Sequence, residues 1–507
     1  MRKINKSLLQ GFQIVLLLIS FICLHEQSIA ASPEIVWSPL IQDNGKFGYL
    51  KIIGSASDGF YVLRSNMPLD DSRERTLFHS RKYLLQFFNY DMVLKWEKEI
   101  KYSSSDVHIV SVYCINENAV IFTYTYDKQK KDILAYGQMI NSRGESDNEP
   151  VLLADMQTEN IDEENKPGLI WSHDQRKIAL AYRRWENGKE VQTYHITVLD
   201  SSLKLLYRKE LEVPWSIKHF AGMKSILSDA GNFFILGERF TTDKKIKSPD
   251  ESFYEVIGYN QTTGGTISTD VKLANKFLTD VSAAADNINH RLVVAGFYSE
   301  QTTYGVSGVF YISLSEDSLK ESSIYSTPFS ALFLQKFAAD RKNKSELVNY
   351  SIDRLILRKD GGAVIVAESF FQSSRTYWDY YTQSTVSHYY YHFGNIMVLS
   401  LNPDGNILWN NAIGKDQNSV DDGGYYASYS SVISSGRMYA LYNKNIDENS
   451  SVLLTTIDGQ GHQKTDVLMR EGDHVTIMPR SAEQVDEETL IIPAYRENKF
   501  FFVKITF

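Results

Sequence analysis

The sequence predicts an all-β fold, a single β-propeller of four-stranded antiparallel blades, and three observations lead there. A hairpin made of a short polar turn and an apolar run of strand length recurs roughly every 55 to 75 residues along the whole chain, a period above that of ordinary blades, with the excess in loops. The 31 Tyr and 26 Phe favour pleated, half-buried surfaces over helices. No Pro-, Ser- or Gly-rich stretch divides the chain, so the alternative of two separate β-sandwiches lacks a linker.

The hairpins run in order. Asp58 and Gly59 precede an apolar run at 60–63, Asn116 to Asn118 one at 119–123, and Asp174 to Arg176 one at 178–182. Asp229 to Gly231 precede 233–237, Asp286, Asn287 and Asn289 precede 292–296, and Asp360 to Gly362 precede 363–368. Ser435 and Gly436 then precede 438–442, and Asp486 and Glu487 precede 490–494. Eight blades are expected on this spacing, with seven as the alternative.

The stretch 351–413 gives the whole unit. Strand-like runs at 351–357 and 363–368 flank the Asp360, Gly361, Gly362 turn, and runs at 396–401 and 407–413 flank a turn from Asn402 to Asn406. Trp409 sits in the fourth run, as Trp96 does in 93–100. The last unit ends one strand short, at 499–507. Residues 34–40, carrying Trp37 in the same place, are expected to supply that strand and cover the open edge. One departure from strands is expected near 327–340, where Thr327 as cap, Pro328 in the first turn and an apolar face of Phe329, Leu332, Phe333 and Phe337 predict a short packing helix.

Arg2, Lys3 and Lys6, an apolar core at 14–24 and Ser28, Ile29, Ala30 before Ala31 have the order of a secretory signal peptide. Residues 1–30 are therefore expected to be removed and 31–507 to form one propeller domain, exported to the periplasm, the outer surface or the medium. Ile22 before Cys23 argues against a lipoprotein, and the apolar core is too short to span a bilayer. Cys114 is then the one remaining cysteine, so no internal disulfide is expected. The net charge of -9 argues against nucleic acid and anionic membranes as partners.

In a four-stranded blade the second-to-third loops and the blade-to-blade connections emerge on one face. The long insertions at 66–81, 240–251, 370–394, 155–168, 327–350 and 415–425 all belong to that face. The densest in rings is 376–393, with Tyr377, Trp378, Tyr380, Tyr381, Tyr389, Tyr390 and Tyr391, which points to binding of a protein or a sugar. The bland alternative is a hairpin whose rings pack on each other. His388 and His392 are too few for a metal site. Asp416, Asn418, Asp421 and Asp422 before Gly423 and Gly424 are weak calcium ligands without the EF-hand order, and the acidic stretch 159–164 reads as a solvated linker. No nucleophile elbow, paired-His metal helix or phosphate-cradling loop is present. Ser228 to Gly231 lacks the Asp-box spacing of sialidases, and too few blades carry a docking tryptophan for a quinone enzyme.

Glu368 after the Asp360, Gly361, Gly362 turn, the run 395–409, and Lys415, Asp416, Gln417, Asn418, Ser419 with Asp421 to Tyr425 resemble uncharacterised secreted β-propeller proteins of Bacteroidetes, mainly over 353–443. The resemblance implies a propeller and export, and no reaction. The expectation is a non-enzymatic, cofactor-free binding or scaffold module of the cell envelope, engaging an envelope or secreted protein or a surface glycan through its elaborated face. The rival is a carbohydrate-active hydrolase or lyase with acids at the channel mouth.

Overall fold

The computed structural model describes residues 33–42, 46–67, 82–101, 107–146, 149–157, 167–185, 191–243, 245–337, 346–381, 383–446, 450–496 and 499–507. The expected signal peptide, the acidic stretch 159–164 and most of the 66–81 insertion lie outside them. Among the described residues the chain forms a β-propeller built of eight sheets with four or more antiparallel strands, plus a two-stranded ribbon joining Gly305–Val306 to Leu347–Val348.

The sheets follow one another as meanders. The first takes Tyr49–Ala56, Gly59–Ser65, Tyr83–Asn89 and Leu94–Ile100, and the sixth takes Tyr350–Leu357, Ala363–Asp379, Ser384–Leu401 and Ile407–Ile413. The first strands of neighbouring sheets adjoin. Tyr49–Ala56 lies beside His108–Ile115 and Glu483–Gln484, and Phe277–Asp286 lies beside both Phe220–Leu227 and Tyr350–Leu357. These strands surround the central channel. Second and third strands are apolar on both sides because each sheet is packed between two others, and Gly59–Ser65 is buried at every residue. Fourth strands face solvent, so Leu94–Ile100 reads Leu-Lys-Trp-Glu-Lys-Glu-Ile.

The Asn116, Glu117 turn takes left-handed geometry at both residues, φ 45° and 67°, which matches the twist of the strands it joins. The fourth-strand tryptophans act as clasps between sheets. The Trp96 indole donates to the Ser142 carbonyl at 2.6 Å and that of Trp409 to the Gly459 carbonyl at 3.1 Å, each in the third-to-fourth turn of the following sheet. Gly144 and Gly461, both left-handed, leave room for the rings; a Cβ on Gly461 would stand 2.6 Å from Trp409.

The expected closure is present. Glu34–Trp37 pairs antiparallel with Lys499–Thr506, from Glu34 opposite Thr506 to Trp37 opposite Val503. Ser38 extends it, donating from its N–H to the Phe502 carbonyl and accepting from the Phe502 N–H, both at 2.9 Å.

The helix spans Ala331–Phe337 and differs from the expectation in two ways. Pro328 ends the strand Glu321–Pro328 and Thr327 bonds Gly405, so the cap is Ser330, whose hydroxyl accepts from the Phe333 N–H at 3.2 Å. Phe329, Phe333 and Phe337 do pack into the core with Tyr350, whereas Leu332 points outward at 75% exposure. Starting the helix three residues later turns Leu332 off the buried face.

Candidate functional site

Strands two and three of the sixth sheet run on far beyond the blade. Their pairing shifts register between Glu368 and Phe370, and from Phe370 opposite Phe393 to Asp379 opposite Ser384 they form a free-standing ribbon. Gln417–Val420 pairs with Tyr390 to Phe393 as a third strand at its root. Side chains alternate between two faces. At the root the inner face carries Phe370, Tyr391 and Phe393, with Tyr391 and Phe393 buried against Ala427. Tyr391 is thus 6% exposed and belongs to the anchor, because its position in the alternation points it at the body.

The other rings stand out. Tyr377 is 46% exposed, Trp378 54%, Tyr380 85%, Tyr381 100% and Tyr389 40%, while Tyr390 is half-buried. Within the ribbon Phe370 packs on Phe393, Phe371 stacks on His392 and Tyr377 stacks on His388.

The outer face holds two hydrogen-bonded relays, which the sequence did not reveal. Tyr377 Oη lies 3.1 Å from His388 Nε2, and His388 Nδ1 lies 2.5 Å from Asp421 Oδ2. Four residues along each strand, Ser373 Oγ lies 3.2 Å from His392 Nε2, and His392 Nδ1 lies 2.5 Å from Asn418 Oδ1. Asp421 also takes the Tyr389 N–H, and this bond and His388 hold its carboxyl below the usual range. The weak calcium set is thereby dispersed. Asp421 and Asn418 engage the histidines, Asp416 engages Asn418, and Asp422 caps the Gly424 N–H. Among the described residues no three His, Cys, Asp or Glu gather as metal ligands.

Under the ribbon lies a buried polar knot. Lys415 Nζ is 2.6 Å from Glu368 Oε1 and 3.0 Å from Gln417 Oε1, and Glu368 Oε2 accepts from the Ser428 hydroxyl at 2.6 Å. Gln417 in turn bonds the Ser428 N–H and the Asn443 carbonyl, tying ribbon root to seventh sheet. Ser428 is held in left-handed geometry at φ 70°, a strained conformation for a non-glycine residue. Next to it, the Tyr429 hydroxyl donates to Asp353 Oδ2 at 2.9 Å.

Asp353 is the extra residue of a β-bulge between Ile352 and Arg354, on the innermost strand of the sixth sheet. Its carboxyl meets water yet has protein on most sides. That desolvation, with the Glu368 charge behind it, pushes its pKa up to about 6. Glu483, on the innermost strand of the eighth sheet, is also raised by burial, against the pull of Lys51 and Arg354. Two adjoining hollows of about 370 Å³ each share Ile53, Tyr113 and Glu483 and continue to Lys51 and Tyr83 on one side and Cys114 and Trp171 on the other.

The shift at Asp353 has a testable consequence. Its folded pKa of about 6 exceeds the ordinary 3.8, so between these values the native state holds the extra proton, and the contribution to stability is lost as pH rises through 6. Asp353→Asn, which can still accept from Tyr429, is expected to melt at or above the parent at pH 8, with the gap closing toward pH 4. Melting several degrees below the parent at pH 8 contradicts this.

No protein-family model and no curated protein matches the chain. Among solved structures it is similar to the β-propeller domain of the Trilobed protease from Pyrococcus furiosus, with TM-score 0.36 and 12% identity over 84% of this chain and 97% of that one. It is similar to the polysaccharide lyase Uly1, with TM-score 0.36 and 9% identity over 91% and 99%. A prolyl endopeptidase gives TM-score 0.37 and 10% identity over 89% of this chain, which spans 55% of that enzyme's length. At such identities the likenesses concern fold and say nothing of reaction or ligand.

Proposed function

We propose that this chain is an exported binding propeller whose aromatic ribbon captures its partner, an envelope or secreted protein. One observation carries the reading: the ribbon displays Tyr377, Trp378, Tyr380, Tyr381 and Tyr389 to solvent on a root locked into the body by the Lys415 and Gln417 knot. Tyr and Trp provide large contact area with few torsions to freeze, and such rings dominate interface hot spots. A rigid root lowers the ordering cost on binding. In capture from solubilised native envelope, replacing Trp378 and Tyr381 together by Ala is expected to lower recovery of a stoichiometric partner more than about tenfold, or roughly 1.4 kcal/mol, with melting unchanged. Undiminished recovery counts against the reading, and elution by free sugars assigns the surface to a glycan instead.

A second reading is favoured by Asp353 and Glu483, on the innermost strands of the sixth and eighth sheets, both raised by desolvation and both acted on by the Arg354 charge. Perturbed carboxyls in a cleft mark acid–base sites. On this reading the propeller hydrolyses glycosidic bonds. Turnover of aryl glycosides, lost in both Asp353→Asn and Glu483→Gln, supports it; turnover retained in both variants rejects it.

A further inference from the structure

We propose that Ser373 is an activated nucleophile with His392 as its general base, giving the outer face of the ribbon an acyl-transfer activity toward small carboxylic esters. The hydrogen-bond chain behind the pair fixes where the ring proton sits. A carboxylate oxygen only accepts, so Asp416 Oδ1 takes a hydrogen from Asn418 Nδ2 at 3.3 Å. This turns Asn418 Oδ1 toward His392 Nδ1, 2.5 Å away, and because an amide oxygen also only accepts, the ring hydrogen sits on Nδ1. Nε2 is then the nitrogen with the free lone pair. It lies 3.2 Å from Ser373 Oγ, so the hydroxyl donates to it, the arrangement a nucleophile needs toward its base.

The surroundings hold this geometry open to a substrate. Phe371 stacks on the imidazole at 4.2 Å and 13°, fixing its plane, and Asn418 is pinned opposite His392 by strand pairing. Ser373 is exposed. Arg375, two residues along the same strand and so about 7 Å away on the same face, has no ion-pair partner among the described residues and supplies a cation for a developing oxyanion. The neighbouring relay, Tyr377 with His388 and Asp421, repeats the order with a phenol in place of the alcohol.

The step balances without a cofactor. Ser373 Oγ bonds to the ester carbonyl carbon as its proton passes to His392 Nε2. The C–O bond to the leaving alcohol then breaks, and that alcohol takes the proton from His392. Water, deprotonated by the same nitrogen, then bonds to the acyl carbon, the bond from that carbon to Ser373 Oγ breaks, Oγ takes the proton back from His392, and the free acid leaves. Ser373 and His392 touch the reacting atoms; Asn418 and Asp416 are positioning residues.

The test uses the intact chain and a fluorophosphonate probe, in which the Ser373 Oγ–phosphorus bond forms as fluoride leaves. The modified residue is read by peptide mass spectrometry, with Ser374, on the opposite ribbon face, as internal control. Ser373 is expected to be labelled well ahead of Ser374, His392→Gln to slow labelling about 100-fold or more, and Asn418→Asp to retain the rate that Asn418→Ala loses. A purely structural relay would not discriminate between those last two variants at equal melting temperature. No label on Ser373, a rate equal to that of Ser374, or a rate unchanged in His392→Gln overturns the proposal.

Discussion

Replacing Lys415 by Met is expected to cost about 3 to 5 kcal/mol, because it strands the Glu368 carboxylate in the interior without its counter-ion. The Lys415 side chain is 0% exposed and that of Glu368 5%. Burial pulls the Lys415 ammonium below its ordinary pKa while Glu368, 2.6 Å away, supports it, so neither charge is tolerable alone. Lys415→Met combined with Glu368→Leu is expected to recover much of the loss, since two apolar groups need no partner, although the Ser428 hydroxyl then lacks its acceptor while Gln417 keeps the Ser428 N–H and the Asn443 carbonyl. Denaturant midpoints of the parent, the single and the double variant decide it. A single variant as stable as the parent shows that the pair is hydrated in solution.

Removal of residues 31–41 is expected to cost about 2 kcal/mol or more, from the lost partial burial of Ile35 and of Trp37, which is 39% exposed, and from the lost strand pairing. Ile35 packs on the core beside Ile505, and Trp37 stacks on Phe501 at 5.6 Å. The deletion also bares the backbone of Lys499–Thr506, an exposed edge that invites association of chains. Lower melting with concentration-dependent aggregation is the expected outcome in a thermal scan. A truncated chain that melts like the parent would show that the ring closes without this strand.

Much of the fold was legible because a blade is a local object. Turns such as Asp58 with Gly59 and Asp360 to Gly362, followed by apolar runs, specify hairpins without information from elsewhere in the chain. The closure was legible too, since a last unit lacking a strand and an unassigned first strand imply each other. The helix start was misread because Thr327 and Pro328 also suit a strand end, and pairing with Gly308 and Val309 decides for the strand.

The site was legible only in composition. Ring density drew attention to 376–393, but the face each ring occupies depends on register, and that is why Tyr391 proves buried. The relays join 373–377 to 388–392 and to 418–421, a pairing fixed by the third strand at the root rather than by any spacing in the sequence. Asp353 was invisible as a channel residue because its direction is set by a bulge. Glu368 entered the sequence reading as the end of a strand run and Lys415 and Gln417 as insertion residues; their meeting in one buried knot depends on the tertiary pairing and not on spacing.

The ribbon as the capturing element is tested most directly by replacing 377–386, which carries Tyr377, Trp378, Tyr380 and Tyr381 and leaves Thr376 opposite Ser387, with a short Asn-Gly turn and measuring melting and partner capture on the same preparation. Binding and folding should separate. Melting is expected to stay within a few degrees of the parent, because Phe370, Tyr391, Phe393 and the Lys415 knot remain, while capture falls by more than about tenfold. Capture that survives the excision, with melting unchanged, would contradict the assignment of the ribbon as the binding element.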